Sequence, residues 1–411
     1  MRVRPFSFGI FMLSRSLGSM CDQFLLVAVP LAVLQETGSA RYAAIAFVIE
    51  WVPRVIAFPL IGAVVDGLRL KRVFLALDLA RVVLLVAAAV ALNVFGTFGT
   101  LTTLMACMSV CYVMNFLGME ATIPNNLPQQ DYARAHSVVQ GVEQASQVVG
   151  PALAVAMYQA GSMEFVLLAC AALFAVSAVN IALLTVRDSS AANSASVARI
   201  VATTRVALTV LLQRPEVLYL SGLTWVVNFV YGTALAISAA VVVQHFERGP
   251  ADFGGMQSVA GLVAIAVFAA IPRLVRRSGV AFVGRLSLIV IIVSGFTLGF
   301  APHFVVYAAA YCLLIAFDGG FNVYVRTMRS TVLPKEHLGK IMGIVGAVNL
   351  LSIPVAGLLV SVFAGRLPLL SIILVSATIS VTLCCAVLLF GRFSLGYRAY
   401  FPHVSPAVPP D

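Results

Sequence analysis

The stretch SLGSMCDQFLLVAVPLAVL (residues 16–34) is apolar along nearly its whole length and carries one carboxylate, Asp22, close to its middle. A charge at the centre of a membrane-spanning helix costs about 2.5–3.5 kcal/mol on insertion scales. Such a group is expected to face water inside the protein, where a carboxylate can take up and release a proton or hold a cation. Glu143, about three turns into its own apolar segment, and Asp318, in AFDGGFNVYVR, are the two other acids at comparable depth. Asp22, Glu143 and Asp318 are therefore the candidates for proton exchange with a central cavity. Glu50 and Arg54 stand at i, i+4 and can pair on one helix face. Asp78 and Arg81, at i, i+3, are expected near the cytoplasmic end of their segment, in a network around Asp66. Gln23, Trp225, Asn228, Tyr231 and Asn322 are the polar and aromatic side chains best placed to contact a small molecule. Trp225, one turn from Asn228, offers a stacking face.

These residues need elements to position them, and composition says which kind. Of 411 residues 61% are hydrophobic and 10% charged, with a mean hydropathy of +1.02. An ordinary soluble domain carries about 25% charged residues, so the chain reads as an all-α polytopic membrane protein. A span needs about 20 mostly apolar residues. Runs of that kind fall at 9–35, 41–66, 72–95, 99–122, 132–159 and 163–186, and again at 216–245, 252–275, 279–300, 304–328, 337–364 and 367–391. Twelve transmembrane helices are expected. The division is 1–186 as a first six-helix bundle, 187–215 as a cytoplasmic linker with a short amphipathic helix, 216–391 as a second bundle and 392–411 as a tail. The first apolar run is too long, and carries Arg15 and Asp22, so it reads as a span and not as a cleavable leader.

Charge gives the orientation. With both termini inside, 19 of the 26 Lys and Arg fall on the cytoplasmic side and three on the other, with four within spans. That satisfies the positive-inside rule. The formal charge of +10 therefore reads as loop anchoring and not as a nucleic-acid-binding face. All seven cysteines lie in apolar runs and the five histidines at span ends or in loops, so no metal site or other cofactor is expected. There is no GxxxxGK[ST] loop, so ATP is not the direct energy source. An offset of 206 residues brings NNLPQQDYARAHSVVQGV (125–142) onto STVLPKEHLGKIMGIVGAV (330–348), Asp22 onto Asn228, and Glu143 onto Asn349. Two matched bundles in parallel orientation follow from that repeat.

GAVVDGLRLKR (62–72) resembles the loop between spans 2 and 3 of the major facilitator superfamily. The resemblance implies that Gly62 allows close helix contact and that Asp66 caps a facing helix and pairs with a base at the cytoplasmic gate. The family usually places Arg or Lys directly after the acid; here Gly67 stands there, so Arg69, Lys71 or Arg72 must supply the partner. HSVVQGVEQASQVVGPALAVAM (136–157) is similar to the span-5 antiporter motif of drug and proton exchangers, with Gly150 and Pro151 matching its Gly-Pro end. LGSMCDQFLLVAVPLAVLQETGSA, PxxxxGAVVDG and DLARVVLL together resemble the branch holding enterobactin-type siderophore exporters and macrolide efflux proteins. The resemblance implies two six-helix bundles working by alternating access in the cytoplasmic membrane. The expected activity is export of a siderophore or drug-like molecule against inward protons, by a monomer and without enzymatic chemistry. A metal-ion or metal-siderophore carrier of the same fold, ferroportin-like or an uptake permease, is the alternative reading; an integral membrane transferase is a remote one, since no HExxH, GxSxG or DxD grouping occurs.

Overall fold

The computed structural model describes residues 7–65, 68–127, 161–184, 212–332 and 345–395, with residue 209 and scattered residues of 138–158. All the named elements are helices. In the first half they are α1 (Phe8–Thr37), α2 (Ala40–Val64), α3 (Leu70–Phe95), α4 (Thr97–Asn126) and α5 (Met163–Leu183). The second half holds α6 (Pro215–Ala240), extended by a π-helical turn Val241–His245, then α7 (Pro250–Ser278) and α8 (Val280–Gly299). It continues with α9 (Phe304–Val332), α10 (Ser352–Phe363) and α11 (Leu369–Leu395). Eleven helices among the described residues are long and apolar enough to cross a membrane. The expected span 132–159 lies largely outside the described residues, as do the linker from 185 to 208 and the tail from 396.

The boundaries follow from local chemistry. α1 stops where Gly38 takes φ 62° and its N–H returns to the Leu34 carbonyl at 2.8 Å, a left-handed C-terminal cap open to glycine. Gly279, at φ 80°, turns the chain between α7 and α8. Pro215 opens α6 at a position where a missing N–H costs nothing. Each helix shows its surroundings in its spacing. On α3, Leu70, Phe74, Asp78, Arg81, Leu85 and Ala88 are buried, whereas Leu79, Val83, Val86, Val90 and Val94 are exposed. The apolar exposed stripe is a lipid-facing surface, and both charges sit on the opposite face.

The chain falls into two compact units. One comprises Met1–Ala202 with Arg248–Ser258; the other comprises Thr203–Glu247 with Val259–Asp411. In the first unit α1 packs against α2, α4 and α5, and α3 packs against α4 and α5. In the second unit α6 packs against α8, α9, α10 and α11. The most apolar window of α6 is 78% buried, more than any other span; α1 follows with 61%. The first helix of each unit is thus the one its neighbours enclose.

The 206-residue offset has a counterpart in the helices. It carries the end of α4, Asn126, onto the end of α9, Val332, and the start of α5, Met163, onto the start of α11, Leu369. The eleventh span runs from Val345 to Phe363, with Leu351 at helical angles (φ −59°, ψ −25°) just before α10. Pro354 has no N–H to give to the carbonyl four residues back.

Candidate functional site

The charges of the first unit meet on the inner face of α1. Arg15 is 3% exposed and donates to Asp78 Oδ2 at 2.6 Å, to Asn115 Oδ1 at 2.5 Å and to Ser177 Oγ at 2.8 Å. The Ser177 hydroxyl donates in turn to Asp78 Oδ2 at 2.7 Å. Four helices, α1, α3, α4 and α5, are tied by this one group. A buried ion pair needs hydrogen bonds on both partners; both terminal nitrogens of Arg15 and Asp78 Oδ2 have them, while Arg15 Nε and Asp78 Oδ1 have no partner among the described residues. On α2, Arg54 donates to Glu50 at 2.8 Å, the pairing that their i, i+4 spacing allows. Ser109 of α4 donates to the Glu50 backbone carbonyl, and Arg54 lies 4.4 Å over the rings of Trp51 and Tyr112.

Asp22 belongs to a third pair of different quality. Its Oδ2 stands 3.6 Å from an Arg81 terminal nitrogen, beyond hydrogen-bonding distance. Arg81 is fully buried, and no oxygen of a described residue takes a hydrogen bond from any of its three nitrogens. Asp22 is 14% exposed, against 1% for Asp78 and 2% for Glu50. It opens onto a cavity of about 30 Å³, whose polar lining is Arg15, Ser19, Asp22, Tyr112, Asn115 and Glu143. That is room for a water or two. Asp22 and Glu143, from α1 and from the fifth span, therefore share one water-sized hollow within the first unit.

Asp78 and Arg81 thus point to α1 and bind Arg15 and Asp22 there. The i, i+3 spacing places them on one face of α3; it does not pair them with each other. Asp66 and Pro151 lie outside the described residues. Arg69 and Arg72 are exposed, while the Lys71 ammonium donates to the Ala182 carbonyl in the last turn of α5 at 3.0 Å. At Gly62, among the described residues, a Cβ would meet Leu117 at an ordinary 3.8 Å. Gly150 is the tight one. A Cβ on it would stand 2.6 Å from the Gln23 Cβ, so the fifth span is seated directly on α1 beside Asp22.

In the second unit, Trp225, Asn228 and Tyr231 lie on the half-exposed stripe of α6, whose other faces are buried. The Trp225 indole donates to the Val348 carbonyl at 3.0 Å and the Asn228 amide to the Asn349 carbonyl at 3.1 Å. Ser352 also donates to the Asn349 carbonyl, at 2.6 Å. Three side chains thereby serve carbonyls just before Pro354, whose missing N–H loosens this part of the eleventh span. Asn349 itself is 3% exposed, and its side-chain amide has no partner among the described residues. Asp318 and Asn322 are half-buried on α9, and the Asn322 amide donates to both the carboxylate and the carbonyl of Asp318 at 3.0 Å.

Sequence reading missed Arg15, Asn115, Ser177, Tyr112 and Phe174 as members of this site. Arg15 carried a signal, since it is as deep a charge as the acids. The others are common span residues whose roles come only from neighbours on other helices.

By sequence, no curated protein matches the chain. Solved structures share its fold at low identity. The nucleoside transporter NupG has 15% identity and a TM-score of 0.73, over 93% of this chain and 98% of that one. A bacterial homologue of the iron transporter ferroportin, in an inward-facing state, has 18% identity and a TM-score of 0.65 over the same shares. A POT family transporter in complex with a thioalcohol-conjugated peptide has 11% identity and a TM-score of 0.74, over 94% of this chain and 96% of that one. The family profile described as Major Facilitator Superfamily matches residues 9–356. The chain belongs to that superfamily: it is a multi-pass membrane transporter and not an enzyme.

Proposed function

We propose that this transporter exports a small organic molecule, siderophore or drug-like, across the cytoplasmic membrane in exchange for protons, by alternating access. The carrying observation is the contrast among the three ion pairs of the first unit. Arg15–Asp78 and Arg54–Glu50 are short and hydrogen-bonded, with both acids buried; Asp22–Arg81 is the loose one, and its acid reaches the hollow. A carboxylate with an attendant cation nearby but no hydrogen bond to it is tolerated at depth and still able to exchange a proton with water. Asp22 is the coupling residue in this reading, with Glu143 beside it in the same cavity and Asp318 as the acid of the second unit. A hollow of about 30 Å³ suits water better than an organic molecule, which supports proton exchange, and not cargo binding, as the role of this pocket. Cargo contact is assigned to Gln23, Trp225, Asn228, Tyr231 and Asn322. The relatives of this fold carry nucleosides, iron and peptides, so the fold itself selects no cargo.

The test uses inverted membrane vesicles energised by respiration, with an amine dye reporting the pH difference. Catechol siderophores and macrocyclic drugs are added one at a time. A transported compound dissipates the pH difference in wild-type vesicles and not in Asp22→Asn vesicles. Dissipation of equal size in the variant would remove Asp22 from coupling.

A further inference from the structure

Each of the three ion-paired arginines of the first unit lies over an aromatic ring. Arg15 is 4.9 Å from the centre of Phe74, Arg54 is 4.4 Å from Trp51 and from Tyr112, and Arg81 is 4.8 Å from Phe174. In the first two cases hydrogen bonds fix the guanidinium against its acid. Arg81 has no such bond to a described oxygen. Its place is set by the attraction of Asp22, by the Cys111 thiol on α4, by the ring of Phe174 on α5, and by the space that Gly18 leaves. A Cβ on Gly18 would come 3.3 Å from the Phe174 ring and 3.8 Å from an Arg81 terminal nitrogen. A desolvated cation on a ring face gains about 2 kcal/mol, enough to bias where a guanidinium that is not hydrogen-bonded to its acid comes to rest.

We propose that Phe174 is a positioning residue for the Asp22–Arg81 pair: its ring holds the Arg81 guanidinium back from Asp22, which keeps that carboxyl exchangeable with the cavity. The inference rests on the reading of Asp22 as the proton-carrying acid. Closing the gap of 3.6 Å to the 2.6 Å of Arg15–Asp78 would turn the exchangeable acid into another fixed structural pair. The charged and titratable groups facing Asp22 are Arg15 and Cys21 on α1, Glu50 and Arg54 on α2, and Asp78 and Arg81 on α3. Cys111 and Tyr112 face it from α4, and Glu143 from the fifth span. Phe174 adds no charge to this set; it acts only by placing Arg81.

The probe is N,N′-dicyclohexylcarbodiimide, an apolar reagent that adds to a protonated carboxyl group. The carboxyl O–H adds across one C=N bond to give an O-acylisourea, which rearranges to a stable N-acylurea, so the whole reagent mass stays on the residue. Full-length protein in liposomes is labelled over a pH series, and modification of Asp22 is read by peptide mass spectrometry. In wild-type protein labelling rises as the pH falls. In Phe174→Leu the half-maximal pH drops by about half a unit or more, roughly a threefold loss of labelling at fixed pH on the slope. Phe174→Met gives the same drop and serves if the Leu variant folds poorly. Phe174→Tyr, which keeps the ring, restores the wild-type curve. An unchanged half-maximal pH in the ring-less variants, or a Tyr variant shifted as far as they are, overturns the role of Phe174. If wild-type Asp22 shows no pH-dependent labelling while Glu143 or Asp318 does, the reading of Asp22 itself fails, a distinct result.

Discussion

Asp78 and Asp22 make opposite demands on the same helix face. Asp78 is dry and bonded to Arg15 and Ser177; removing its charge strands a buried guanidinium, which costs about 3–5 kcal/mol. Neutralising Asp22 also takes the nearest counter-charge from buried Arg81, but it breaks no hydrogen bond, so it is expected to cost less than neutralising Asp78. Thermal unfolding in detergent should therefore show Asp78→Asn melting further below wild type than Asp22→Asn, with transport lost in both. A larger melting loss for Asp22→Asn would mean that its pair with Arg81 is the structural one. Legibility at this scale divides by distance along the chain. Glu50–Arg54 was readable because the partners share one helix turn. Arg15–Asp78 and Asp22–Arg81 were not, because their partners lie 63 and 59 residues apart, and nothing in either segment names the other.

At the scale of helices, one close approach between spans occurs at corresponding places in the two units. In the first, Gly150 of the fifth span meets Gln23 of α1. In the second, Gly232 of α6 meets Ile353 and Ala356 of the eleventh span, where a Cβ would stand 3.1 Å from the Ile353 Cα. Ala356 is the position that the 206-residue offset assigns to Gly150. Small residues let spans approach where lipid gives no driving force for association. Gly150→Ala is predicted to cut transport at least tenfold, about 1.4 kcal/mol of coupling free energy, because the fifth span must move off α1 beside Asp22. Gly62→Ala, with only a 3.8 Å neighbour, should transport like wild type. Uptake into inverted vesicles decides between this ranking and its reverse. Helix ends were legible to within a few residues because Gly, Pro and charge mark them. Pro354 sits inside an otherwise apolar run, and a proline there signals a kink without saying how far the helix bends.

Over the whole molecule, the two units repeat in helices but not in charge. The offset that takes Asp22 to Asn228 also takes Arg15 to Ser221, Asp78 to Gly284 and Arg81 to Ser287. The buried ionic network is thus a property of the first unit, and its counterpart positions in the second are neutral. This division fits an assignment of proton handling to α1, α3 and the fifth span, and of cargo contact in large part to α6 and α9. Superfamily membership was legible in the sequence from hydropathy, the 62–72 loop and the repeat. The cargo was not, because the polar residues that would select it are few, and Trp225, Asn228 and Asn322 are tied to backbone carbonyls within their own unit. Topology follows from the Lys and Arg distribution: reporters active only in the cytoplasm should work when fused at either end, and an exported phosphatase should be silent at both.

The central claim is that Asp22 binds and releases a proton as the transporter works. The most direct measurement is proton uptake by the purified protein in lightly buffered solution, stepped through neutral pH and followed with an indicator dye. Wild-type protein is predicted to take up about one proton more than Asp22→Asn across that range, as linkage requires of one titrating carboxyl. Equal uptake by the two proteins would contradict the account.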